Sequence, residues 1–211
     1  MIATEYLITS LRIATVAVPV GVYFLILGLL NSRKHPQLLT GRQDFALLIA
    51  AISPLFVLPV LQHVGISPWT VAAAAAGVAG LILLLAPRGR AWVIYNLSQA
   101  DARKAVARAL SRIGMAFEES NKGFSLSEAK GFVEVGGFPL LHNVSVRLRG
   151  ADKRTSARFE QALAPVVACV ETETNPAGIS LLLVATAALA APFVMIAQEV
   201  PEIVRLLTDL L

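Results

Sequence analysis

At 211 residues, with 56% hydrophobic and only 15% charged side chains, the chain is too apolar for an ordinary soluble domain, in which about a quarter of residues are charged. Its mean hydropathy is +0.69, and a net charge of only +4 argues against a protein that holds nucleic acid by bulk charge. A single cysteine, Cys169, rules out an intramolecular disulfide.

In chain order, the first element is an apolar run over 13–30, and others follow over 45–64, 66–86 and 178–198; none contains Asp, Glu, Lys or Arg. A hydrocarbon core ~30 Å thick needs roughly 20 apolar residues at a helical rise of ~1.5 Å, so the pattern predicts four transmembrane helices. The first run is not expected to be a cleaved signal, because Glu5 precedes it and Asn31-Ser32-Arg33-Lys34 follows it, the reverse of a signal peptide's charge order. Residues 1–10 are expected to lie along the membrane interface.

Arg33, Lys34 and Arg42 crowd the loop after the first run, and Arg88 and Arg90 follow the third. Basic residues beside a span resist translocation. The predicted topology therefore keeps the 31–44 loop and the 88–175 stretch in the cytoplasm of a bacterial-type inner membrane, with both termini outside. Four spans and the charge rule give the same orientation independently.

Spans associate through close packing, which small residues permit. Ala72, Ala76 and Gly80 at four-residue spacing in the third run, with Ala187 and Ala191 in the fourth, are the expected packing faces; Ala17 and Gly21 offer another in the first. Pro19, Pro54, Pro59 and Pro192 interrupt the runs, each removing a backbone donor and favouring a kink. Ion pathways need ionisable groups at depth, and only Gln62 and His63 approach that role. His63, beside Gly65 and Pro68, reads as an interfacial loop residue. Residues 199–211 place Val200, Ile203, Val204, Leu207 and Leu210 at spacings of three and four, predicting a separate amphipathic helix started by Pro201.

Between the third and fourth runs the pattern changes to that of a small soluble domain. Residues 92–96 read as a buried strand. Ser98 caps a helix over 99–113 with an apolar stripe of Ala102, Ala105, Val106, Ala109, Leu110 and Ile113, closed by Gly114. Met115 and Phe117, then Phe124 and Leu126, alternate with polar residues around an Asn121-Lys122-Gly123 turn, predicting a hairpin. A strand over 132–135 is expected to turn at Gly136-Gly137, and Val144, Val146 and Leu148 alternate in a further strand. The second helix, 151–172, carries Phe159, Leu163, Val166 and Val167, with Cys169 read as a small core residue and Pro165 as a kink. The order predicts an α+β domain, an antiparallel sheet with two helices on one face.

The chain thus divides into a membrane region (1–87), an inserted cytoplasmic α+β domain (88–175), and a fourth span with the terminal helix (176–211). Catalytic chemistry is not expected. Gly136-Gly137 lacks the GxGxxG context, no HExxH, CxxC or paired carboxylates occur, and His142 with Asn143, placed on a strand near Glu134, is a pairing common by chance. No cofactor or metal is implied. Lys104, Arg108 and Arg112 recur every four residues on the first helix, and with Arg33, Lys34, Arg88 and Arg90 form a candidate surface for lipid headgroups or an acidic partner. No aromatic side chains interleave with them, so no nucleic-acid partner is expected. The function expected is a non-catalytic subunit or scaffold of an inner-membrane complex, in contact with membrane lipids and with copies of itself or other membrane subunits. The alternative is a small oligomeric transporter or channel.

Overall fold

Strand-forming residues that alternate inward and outward assemble the centre of the α+β domain. In the computed structural model, which describes residues 2–87, 90–127 and 131–210 (excepting the side chains of 2–8, 11, 12, 62, 196, 199, 202–207, 209 and 210), six strands form one sheet. They are β1 (Gln37–Thr40), β2 (Arg90–Tyr95), β3 (Phe117–Ser120), β4 (Gly123–Leu126), β5 (Gly131–Phe138) and β6 (Asn143–Arg149). Their order is β1-β2-β6-β5-β4-β3, and every neighbouring pair is antiparallel.

Register decides which side chains meet. Trp92 stands opposite Val146 and Ile94 opposite Val144, while Val133 faces Leu148 and Val135 faces Val146. All are buried. The same core takes in Ala105, Val106 and Leu110 of α5 (Gln99–Arg112) and Phe159, Leu163 and Val167 of α6 (Lys153–Ala168). Removing each large apolar side chain from water contributes roughly 1.5–3 kcal/mol. Trp92 meets Phe159 edge-on with ring centroids 5.4 Å apart, joining β2 to α6.

Local chemistry sets where these helices start and stop. Ser98 Oγ accepts from the Asp101 N–H at 3.1 Å, and Asp152 Oδ1 accepts from the Thr155 N–H at 2.9 Å, so each helix begins on a side-chain cap. The first ends as the spacing predicts. Gly114 has φ of +72°, its N–H reaches the Ser111 carbonyl, and the Met115 N–H reaches that of Leu110, the reciprocal pattern that left-handed glycine permits.

Several expectations change. The 31–44 connection contains β1, with Leu38 paired to Ile94; four residues without alternation carry no strand signal, and only the edge of β2 draws them in. Gly136 and Gly137 do not turn the chain. They continue β5 opposite Ser145 and Val144, and the reversal comes at a 3-10 turn over Pro139–Leu141. Proline removes the donor that a ninth strand residue would need. Pro165 does not break the second helix, which includes it and ends at Ala168. Cys169 follows that helix and is exposed rather than in the core.

Among the described residues, four helices are long and apolar enough to cross a membrane, over Ile13–Asn31, Gly41–Leu61, Pro68–Leu85 and Pro176–Met195. The first belongs to α1 (Ile2–Asn31), whose helical backbone extends back through residues 2–12. The second is split by proline into α2 (Gly41–Ile52) and α3 (Pro54–Val64). Pro54 cannot donate to the Ala50 carbonyl, and the hydroxyl of Ser53 does so at 3.0 Å. α4 (Pro68–Leu85) follows after Gly65, which turns with φ of +93°. α7 (Pro176–Leu210) runs unbroken through Pro192 and Pro201, so the separate terminal helix predicted from Pro201 is not formed; the side chains that would define its apolar face lie largely outside the described residues.

The backbone divides into two compact units. One comprises residues 1–26, 48–80 and 181–211, and the other 27–47 and 81–180. The second therefore includes the 31–44 connection together with the sheet.

Candidate functional site

In the sheet-containing unit, three buried asparagines stand near the ends of span-length helices. Asn31, Asn96 and Asn175 are all at least nine-tenths buried. Asn96 follows β2 with φ of +58°, a left-handed conformation that asparagine tolerates better than most residues. There its amide donates to the Arg33 carbonyl at 2.8 Å, to Thr172 Oγ1 at 3.0 Å and to the Glu173 carbonyl at 3.4 Å. Thr172 in turn donates to the Lys34 carbonyl from its N–H at 2.9 Å and from its hydroxyl at 3.1 Å.

The helices are stitched to the same place. The Asn31 amide donates to the Leu27 carbonyl at 2.9 Å, closing the end of α1. Asn175 Oδ1 accepts from the Ala177 N–H at 3.0 Å, capping α7. Gly178 lies so close to Asn31 that a Cβ there would come within 3.0 Å of its backbone. No catalytic or packing signal singled out this junction in sequence. Its only trace was three asparagines, one after a strand and two at the borders of apolar runs.

The basic residues fall into distinct settings. Arg33 and Lys34 are exposed on a backbone whose carbonyls are held as above; Arg33 also donates to Gln37 Oε1 at 3.4 Å. Arg42 is exposed in the first turn of α2. Asp44, the acid of that connection, accepts the Tyr95 hydroxyl. Arg88 lies outside the described residues. Arg90 is half-buried and donates to the Ala151 carbonyl, which fastens the entry to α6. Lys104 ion-pairs with Asp101 at 2.9 Å, whereas Arg108 and Arg112 are exposed. Arg103, not singled out from sequence, is more engaged: it ion-pairs Glu119 at 2.8 Å, caps the Ser120 and Asn121 carbonyls and lies over the Phe124 ring at 5.5 Å.

Among the described residues, two carboxyls have displaced ionisation. Asp101 is held below the usual carboxylate range by the Lys104 ammonium and the Ser98 hydroxyl. Asp152 is likewise lowered by the Thr155 hydroxyl and N–H. Both belong to helix starts.

The His142–Asn143–Glu134 pairing is not assembled. His142 sits in the turn with φ of +49°, and Asn143 stands opposite Phe138. Glu134 ion-pairs Arg149 at 2.8 Å. His142 and Asn143 instead line a cleft of about 230 Å³ with Leu97, Ser98, Gln99 and Phe138.

In the other unit, Ala72 and Ala76 are exposed, and a Cβ on Gly80 would meet nothing within 4 Å. None of the described residues of α4 is buried. Ala187 and Ala191 are also exposed, and it is Ala185 and Pro192 of α7 that are covered. There a Cβ on Gly21 of α1 would come within 2.8 Å of the Leu189 side chain, so α1 and α7 approach closely. His63 Nδ1 lies 2.8 Å from the Pro59 carbonyl and is exposed; the Gln62 side chain is not described. A second cavity, about 430 Å³, is lined by Ala14, Val18, Pro19, Ala51, Pro54 and Leu58 among others, with Thr15 the polar contributor.

These features define a class: a protein with four helices of membrane-spanning length and an antiparallel six-stranded sheet backed by two helices. No family model, curated protein or solved structure matches the chain.

Proposed function

We propose that this protein is a non-catalytic subunit or scaffold of an inner-membrane complex. Its helices anchor the 88–175 domain on the cytoplasmic side, and both termini lie outside. The observation that carries the reading is the uncovered small-residue face of α4, where Ala72 and Ala76 are exposed and Gly80 has open space beside it. Small residues let a neighbouring backbone approach and gain packing that lipid does not supply. The neighbour is a second copy or another membrane subunit.

Native mass measurement after gentle detergent extraction tests this. A stable oligomer or co-purifying membrane chain that Gly80→Leu removes is the expected result, and a monomer in both cases sinks the reading. Orientation has its own test, since exposed Cys169 is a native label site. An impermeant thiol reagent should leave it unmodified in intact cells and modify it after permeabilisation; in a Cys169→Ser background, cysteine at Ser67 or Thr208 should be labelled from outside.

The cavity beside Pro19 and Pro54 favours a second reading, a small oligomeric transporter. Its lining is almost wholly apolar, so an apolar cargo suits it better than an ion. Saturable uptake of an apolar solute into vesicles containing the pure protein, lost in Leu58→Trp, would select this reading over the scaffold.

A further inference from the structure

The connection between α1 and α2 joins two helices of membrane-spanning length through nine residues that contain β1. Arg33 and Lys34 come two and three residues after the first of these helices ends, and Arg42 is the second residue of the next. Side chains so close to the ends of two spans lie at the depth of lipid headgroups if the helices cross a membrane.

Their surroundings leave their charge available. Arg33, Lys34 and Arg42 are exposed, and none is ion-paired among the described residues. The carboxylate nearest to them in sequence, on Asp44 in the first turn of α2, accepts the Tyr95 hydroxyl. The backbone beneath is held in place. Arg33 O is bound by Asn96 Nδ2 at 2.8 Å, and Lys34 O by the N–H and hydroxyl of Thr172 at 2.9 and 3.1 Å. The main chain is therefore ordered by the domain before any ligand arrives, which lowers the entropic cost of binding. Arginine's planar fork suits a phosphate, and lysine adds a mobile point charge.

We propose that Arg33, Lys34 and Arg42 form a collar around β1 that selectively holds the phosphate headgroups of anionic lipids. This rests on the helices crossing a membrane, and not on whether the protein is a scaffold or a transporter. Each basic residue near a membrane surface adds attraction of roughly a factor of five.

The full chain is placed in nanodiscs of phosphatidylcholine containing a minority of phosphatidylglycerol, and the lipids retained after release are counted by native mass spectrometry. Enrichment of phosphatidylglycerol over its bulk fraction is expected, falling at least about fivefold in Arg33→Gln/Lys34→Gln/Arg42→Gln. An Arg108→Gln/Arg112→Gln control on α5 should keep it. Because none of the three collar side chains is buried or ion-paired, the triple variant should unfold at an unchanged temperature. Equal enrichment in the triple variant, no enrichment in the native chain, or loss in the α5 control overturns the proposal. Displacement of the lipid by millimolar glycerol phosphate would reassign the collar to soluble phosphate and also overturns it. Extraction of the protein by alkaline carbonate would show that the membrane reading itself has failed, which is distinguishable from loss of lipid selectivity in a protein that resists it.

Discussion

The side-chain amide of Asn96 donates to the backbone carbonyl of Arg33 at 2.8 Å, across 63 positions of sequence. One residue at the end of β2 thus holds the stretch that follows the first span-length helix, and through Thr172 and Glu173 the stretch that precedes the last. Truncating it removes the donor from three part-buried acceptors, a loss on the order of 1 kcal/mol.

Asn96→Ala should therefore lower the unfolding temperature of the detergent-solubilised protein by several degrees. Asn96→Gly keeps the left-handed backbone while removing the same donors, so the difference between the two variants isolates the backbone contribution. If both unfold at the native temperature, the junction contributes nothing to stability.

Capping of α5 predicts a pH effect of definite sign. Asp101 has a folded-state pKa below its unfolded value of 3.8, so its contribution is present above that value and is lost as pH falls through the lower folded one. The carboxyl is nearly half exposed, which keeps the effect small. Asp101→Asn should flatten the acid limb of stability below about pH 4, and Ser98→Ala should cost ~1 kcal/mol at neutral pH by removing the cap. A steeper acid limb in Asp101→Asn, measured by urea unfolding, would reverse the assignment.

Arg103 joins α5 to the β3–β4 hairpin through one carboxylate, two carbonyls and an aromatic face. Arg103→Lys should recover only part of what Arg103→Ala loses, because an ammonium cannot occupy the guanidinium fork. Hydrogen exchange of the β3 and β4 amides is the readout. Protection equal to native in Arg103→Ala would mean that the hairpin is held by Phe117 and Phe124 alone, whose rings meet edge-on 5.4 Å apart.

Two glycines in span-length helices should respond oppositely. A Cβ at Gly21 meets Leu189 within 2.8 Å, and overpacking typically costs 1–3 kcal/mol, so Gly21→Leu should destabilise the monomer. At Gly80 there is open space, and Gly80→Leu should leave monomer stability unchanged or up to ~1 kcal/mol higher from helix propensity. Thermal unfolding of the two variants in the same detergent settles it. Equal destabilisation would mean that α4 is packed within the chain.

What the sequence determined by itself was local or periodic. Continuous apolar runs can only be satisfied as helices, and four helices of sufficient length are present. Alternation in Val144, Val146 and Leu148, the stripe from Ala102 to Leu110, and the starts at Ser98 and stops at Gly114 depend on neighbours within a few positions, so β6 and α5 were legible. The tertiary structure decided what depends on distant partners. β1 has no strand pattern of its own and exists because β2 offers an unpaired edge. Gly136-Gly137 resembles a turn, yet the seven residues of β6 hold it in a ladder, and the reversal falls to Pro139. Pro201 carries a helix-start signal, but the preceding turns of α7 already supply its helical backbone. The small-residue spacing in α4 resembles that around Gly21, and only the position of Leu189 separates a face that is covered from one that is open. The asparagine junction was invisible for the same reason: Asn31, Asn96 and Asn175 acquire their roles from carbonyls and backbone contacts that folding brings to them.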